Sequence, residues 1–137
     1  MVNPYSEYKK QSVTTMTPVE VVIRLYSEIE RQLAIAIDFT EKKNYAKSND
    51  AFIRAEECID ALREALDMSV PISANLEDLY IFFYKTIVNA NVSKKLDDVK
   101  KIIPMIGELR DAFTQISQMS KEDIEAQEKA NKKKSLF

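Results

Sequence analysis

A single glycine, Gly107, occurs in 137 residues, and no Asn-Gly or Asp-Gly pair occurs at all. A sheet of this size would need many tight turns, and tight hairpin turns draw on residues that tolerate positive φ. The four prolines supply breaks but no such turns. The chain is therefore expected to be all-α. With 45% hydrophobic and 31% charged residues, it has enough apolar material for one core and is neither disordered nor membrane-spanning by composition. Its length suits one domain.

Four apolar-periodic stretches follow one another. The first spans about residues 18–42, with Val22, Leu25, Tyr26, Ile29, Leu33, Ala36 and Ile37 recurring three or four apart. Thr17 is placed as its N-cap, Pro18 as its first helical residue, and Glu20 completes a capping-box spacing. The second spans about residues 45–68 and carries Phe52, Ala55, Ile59, Leu62 and Leu66. Ser69-Val70-Pro71 is expected to end it, because a residue before proline is pushed out of the helical region.

The third begins near Ser73, with Leu76, Leu79, Tyr80, Phe83, Ile87 and Ala90 on one side and Ile81, Phe82 and Tyr84 on the other. Apolar residues around so much of a helix mark it as central or as holding a face for a partner. Asn89-Ala90-Asn91-Val92-Ser93 reads as the next break. The fourth spans about residues 95–119 through Val99, Ile102, Ile103, Ile106, Leu109, Phe113 and Ile116. Pro104 is expected to bend it near residues 100–104 or, alternatively, to split it.

Short connections imply antiparallel neighbours, so the expected fold is an up-down four-helix bundle over residues 17–120. Residues 1–16 are expected to form an N-terminal cap segment. Residues 121–137 form a charged extension, either a frayed helix or disordered.

Several functions drop out on chemistry. The chain has no histidine, which removes His-based metal sites and nucleophile–His systems. One cysteine, Cys58, makes no internal disulfide and suits core packing in a reducing compartment. No glycine-rich phosphate loop exists. The carboxylate pairs Glu56-Glu57, Glu77-Asp78 and Asp97-Asp98 fall between the apolar stripes, as solvated helix faces do. A formal net charge of -2 with interspersed signs argues against a nucleic-acid surface, Lys132-Lys133-Lys134 being the only basic run. No apolar run approaches a membrane span, and the start is not a secretory signal. No catalytic residue, cofactor or metal is expected, and the chain reads as a cytoplasmic binding protein.

The densest local pattern is Asn3-Pro4-Tyr5-Ser6-Glu7-Tyr8, then Ser12-Val13, Thr17-Pro18 and Leu25-Tyr26. Tyr5 and Tyr8 would share one side of a short helix, where tyrosine can cover a groove reversibly or merely cap a bundle end. With Ala55, Ile59 and Leu62, then Leu79-Tyr80, Ala90-Asn91 and Leu109-Arg110-Asp111-Ala112, this ordered set resembles the FliS family of flagellin-specific export chaperones over about residues 3–118. The chain departs from the family pattern in having Ser27-Glu28-Ile29 after the Leu-Tyr pair, and Phe113 where the family carries tryptophan.

The resemblance implies that the chain binds the disordered C-terminal segment of flagellin in the cytosol, prevents its polymerisation and delivers it to the flagellar type III export apparatus. The gate protein FlhA is the implied partner there. Contact candidates are Tyr5, Tyr8, Leu25, Tyr26, Leu79, Tyr80, Tyr84 and Asn91, of which several, Leu25 and Leu79 above all, also suit core positions. The free protein is expected to be a monomer or weak dimer. The alternative is a self-associating helical adaptor in which the outer face of the third helix, Ile81 and Tyr84 included, pairs with a second copy.

Overall fold

The structure, a computed structural model, describes residues 16–135, and the side chains of residues 16–130. It contains four helices: α1 (Pro18–Glu41), α2 (Tyr45–Glu64), α3 (Ile72–Ser93) and α4 (Asp97–Ser135). Each packs on the next, and α4 returns to α1, closing an antiparallel bundle with no strand among the described residues. This is the expected all-α architecture.

Local chemistry explains most boundaries. Thr17 Oγ1 accepts the Glu20 N–H at 3.2 Å, and Pro18 sits where its missing N–H is not needed. Asn44 caps α2 by accepting the Lys47 N–H at 3.3 Å. Lys43 and Lys94 lie at φ 61° and 60°. This is the left-handed region in which glycine commonly ends helices, and here lysine occupies both positions.

Two expected boundaries differ. Helix α2 stops at Glu64, several residues before the Ser69-Val70-Pro71 break. Asp67 builds a turn of its own there, accepting Ser69 N–H at 3.0 Å and Ser69 Oγ–H at 2.6 Å. Helix α3 runs straight through residues 89–93. Its polar residues are satisfied without breaking it: Ser93 Oγ donates to Asn89 O at 2.7 Å, and Asn91 Nδ2 donates to Asn49 Oδ1 of α2 at 2.8 Å. Helix α4, by contrast, is the single helix expected through Pro104 rather than the alternative split, and it extends to Ser135, so residues 121–135 are helical as one of the two readings of the extension has it. Pro104 is exposed, so the carbonyl its ring deprives of an N–H, that of Lys100, lies on the solvent side.

The core follows the stripes. Tyr26, Ile29, Leu33 and Ala36 of α1 meet Phe52, Ala55, Ile59 and Leu62 of α2, Tyr80, Phe83 and Ile87 of α3, and Val99, Ile102 and Ile106 of α4, all buried. Cys58 is half-buried against this cluster. At 39 residues, α4 is about 58 Å long, far longer than its partners. An ion pair of 3.2 Å from Lys121 to Glu20, in the first turn of α1, marks where its packed part ends. Residues 121–130 are exposed throughout.

Candidate functional site

Cross-helix contacts fix which edge of each helix faces which neighbour. On α3, Glu77 pairs with Arg63 at 3.6 Å and Asn91 bonds Asn49, so that edge faces α2. On α4, Arg110 pairs with Glu30 at 2.7 Å, Lys100 with Glu41 at 3.3 Å and Lys121 with Glu20, so that edge faces α1. With about 100° of turn per residue, the opposite edges carry Leu79 and Phe82 on α3, and Met105, Leu109, Ala112 and Ile116 on α4.

These edges meet along the α3–α4 seam, the least closely packed of the four neighbour seams. No side-chain hydrogen bond or ion pair among the described residues joins α3 to α4. The result is an exposed apolar strip, a candidate furrow, along a loosely packed seam. Phe82 is 50% exposed and Ile116 47%; Met105 is exposed, and Leu79 and Leu109 are half-buried. Met119 continues the strip toward the free end of α4.

The residues singled out from sequence separate into three groups. Tyr26 and Tyr80 are interior: their hydroxyls hydrogen-bond each other across the bundle, and the Phe113 ring lies 5.7 Å from that of Tyr26. Burial, then this hydrogen bond, pushes the Tyr26 phenol well above its ordinary range, and burial raises Tyr80 as well. Leu25, Leu79 and Tyr84 are half-buried against the core. Of these, only Leu79 borders the furrow.

Asn91 has a tying role. Besides bonding Asn49, it accepts the Lys94 ammonium at 2.7 Å, and Lys94 reaches Ser48 at 3.4 Å and stands over the Tyr45 and Phe52 rings. Burial holds the Lys94 ammonium below the usual lysine range. Tyr5 and Tyr8 lie outside the described residues.

Met105 and Met119 went unread in the sequence. The available signal was position: Met105 sits next to the stripe residue Ile106, and Met119 three residues beyond Ile116.

A shallow open depression of about 460 Å³ lies on the outer side of α1, between Met16, Ile23 and Ser27, with Glu20 and Arg24 at its edge. No cluster of three His, Cys, Asp or Glu side chains among the described residues could hold a metal ion. No helix among them is long and apolar enough to cross a membrane. An exposed apolar strip of this kind suits holding an apolar polypeptide face.

Comparison with known proteins agrees. The family profile described as "Flagellar protein FliS" matches residues 1–133. The flagellar secretion chaperone FliS of Bacillus subtilis (strain 168) is 27% identical over 121 residues, covering 88% of this chain and 91% of that protein. An all-helical bundle and a match over nearly the whole chain place this protein in the flagellar protein FliS family.

Proposed function

We propose that the chain is a cytoplasmic export chaperone that holds the C-terminal segment of flagellin along the α3–α4 furrow. It keeps the segment from polymerising and delivers it to the flagellar type III export apparatus, with FlhA as the receiving partner. The observation that carries this reading is the furrow: Leu79 and Phe82 face Met105, Leu109 and Ile116 across a seam without polar clamps. An amphipathic segment laid there would bury its apolar face. Ordering such a segment costs roughly 2–5 kcal/mol or more, which keeps a large contact releasable.

The test is titration of a flagellin C-terminal peptide by calorimetry. Phe82→Ser combined with Ile116→Ser is expected to weaken binding at least about tenfold, or 1.4 kcal/mol, with little change in thermal stability. Unchanged affinity would refute the furrow as the cargo site.

Residues 1–14 are proposed to compete for this surface and move aside for cargo, lowering its apparent affinity. Deleting them is expected to tighten peptide binding; unchanged affinity removes the competitor. Capture of FlhA by the peptide-loaded chaperone, compared with the empty one, tests delivery. The adaptor alternative loses support because Ile81 and Tyr84 are half-buried in a single copy, and light scattering separates the two readings.

A further inference from the structure

The three connections of the bundle are unlike in character. Lys42-Lys43-Asn44 and Lys94-Lys95-Leu96 are short and carry two lysines each. The α2–α3 connection, residues 65–71, instead points apolar side chains into solvent. Met68 is 56% exposed, Val70 43%, and Ile72, the first residue of α3, 56%.

A loose loop could do this by accident, but this one is tied down. Asp67 accepts Ser69 N–H and Oγ–H through its carboxylate, and Val70 N–H at 3.0 Å and Ser73 Oγ–H at 2.6 Å through its carbonyl. Ser73 N–H closes on Val70 O at 3.0 Å, and Ser73 itself is buried. Five hydrogen bonds therefore hold three large apolar groups outward, so docking a partner would not require ordering the loop first.

The surroundings specify the partner's charge. Between residues 48 and 84 the chain has eight acidic residues, two arginines and no lysine, although the whole chain is only -2. Asp60 and Glu64, in the closing turns of α2, and Asp78, early in α3, are exposed around the tip along with Asp67. One of the two arginines, Arg63, is engaged by Glu77. One turn further back, Glu56 is held above the ordinary carboxylate range mainly by burial, with the charges of Asp60 and Glu57 adding to it.

We infer that the α2–α3 tip, Met68, Val70 and Ile72 within its acidic collar, is a second docking surface for a basic amphipathic polypeptide segment, separate from the α3–α4 furrow. An apolar contact would supply adhesion, and the collar would select Lys- and Arg-bearing partners and repel acidic ones.

The probe is an 18-residue Leu/Lys amphipathic helical peptide, with a Leu/Glu peptide of the same pattern as control. Binding to the full chain is followed through labelled methionine methyl signals. The Met68 methyl is expected to shift saturably, and at lower peptide concentration than Met105 and Met119 in the furrow. Affinity should fall as salt rises. It should drop at least tenfold both in Met68→Ser/Val70→Ser/Ile72→Ser and in the charge reversal Asp60→Lys/Glu64→Lys, which leaves the apolar tip intact. Phe82→Ser should leave it unchanged, so loss of the cargo site and loss of this one are read separately. The inference is overturned by shifts at Met105 or Met119 in place of Met68, by equal binding of the Leu/Glu peptide, by full affinity in either tip variant, or by a dimer of the unmodified chain that the triple serine variant dissolves.

Discussion

The two sides of the bundle both bury apolar stripes but are closed differently. Around α1 every seam has a polar fastener: Thr40 Oγ1 to Ser48 Oγ at 2.6 Å toward α2, and the Glu30–Arg110 and Glu41–Lys100 pairs toward α4. The α3–α4 seam has none among the described residues; Lys94, in the turn between the two helices, ties that turn to α2 and to the end of α3 instead. Where fasteners exist, apolar residues such as Ile29 and Leu33 have no exposed surface; where they are missing, Phe82 and Ile116 stay about half exposed. Fasteners of this kind are individually weak, so their pattern matters more for geometry than for energy. They fix which seam is shut and which can accept an outside chain.

The sharpest way to break this comparison is to truncate one large apolar side chain on each side. Ile29→Ala is expected to destabilise the protein by about 2–5 kcal/mol, the range for a fully packed aliphatic side chain whose cavity cannot collapse. Phe82→Ala removes more atoms, yet a half-exposed ring at an open seam should cost less than half as much. Urea unfolding of the two variants reads the difference directly. Equal losses would mean that the α3–α4 seam is as closed as the others.

A smaller effect sits where the two sides meet. Tyr26 and Tyr80 join α1 to α3 diagonally, each buried hydroxyl answering the other. Tyr26→Phe alone strands the Tyr80 hydroxyl and is expected to cost about 1–3 kcal/mol, whereas Tyr26→Phe/Tyr80→Phe should recover much of that. The pair also predicts alkaline lability. Both phenols titrate higher in the folded protein than in the unfolded chain, where the ordinary value is 10.0. Above that pH the unfolded state gives up protons first, so stability falls as pH rises further. Thermal unfolding between neutral pH and about pH 11 should show this decline in the parent and a weaker one in the double phenylalanine variant.

That tyrosine pair shows where sequence reading reaches its limit. Periodicity located Ile29, Leu33, Phe52, Ile59, Phe83, Ile87, Val99 and Ile106 in the core because burial on a helix repeats every three or four residues. The same stripes contained Tyr26 and Tyr80, but a hydroxyl argues for the surface unless its partner is known, and here the partners are 54 residues apart. The expected break at residues 89–93 failed for a related reason: Asn91 competes with the helix only until Asn49 and Lys94 occupy its side chain. The furrow was legible in part. Excess apolar surface on the third helix was visible, whereas the exposed Met105 on the facing helix depends on which edge of α4 turns away from α1, and the pairs formed by Arg110, Lys100 and Lys121 decide that only once the bundle exists.

The least of the expected effects tests the two connections at the lysine-bearing end of the bundle. Lys43 and Lys94 have nearly the same left-handed backbone, which costs an ordinary L-residue on the order of 1–2 kcal/mol and glycine almost nothing. Glycine also loses more chain entropy on folding, worth about 0.4–1 kcal/mol. Lys43→Gly, in the turn of the fastened α1–α2 pair, should therefore stabilise by about 0.5 kcal/mol, the difference between those two terms. Lys94→Gly relieves the same backbone, but it removes the ammonium that joins Asn91, Ser48 and the Tyr45 and Phe52 rings at the end of the open seam. That loss should at least cancel the gain, so the two substitutions should differ in sign or nearly so in parallel thermal melts. If Lys94→Gly stabilises as much as Lys43→Gly, the lysine contacts contribute nothing to holding the α3–α4 turn against α2.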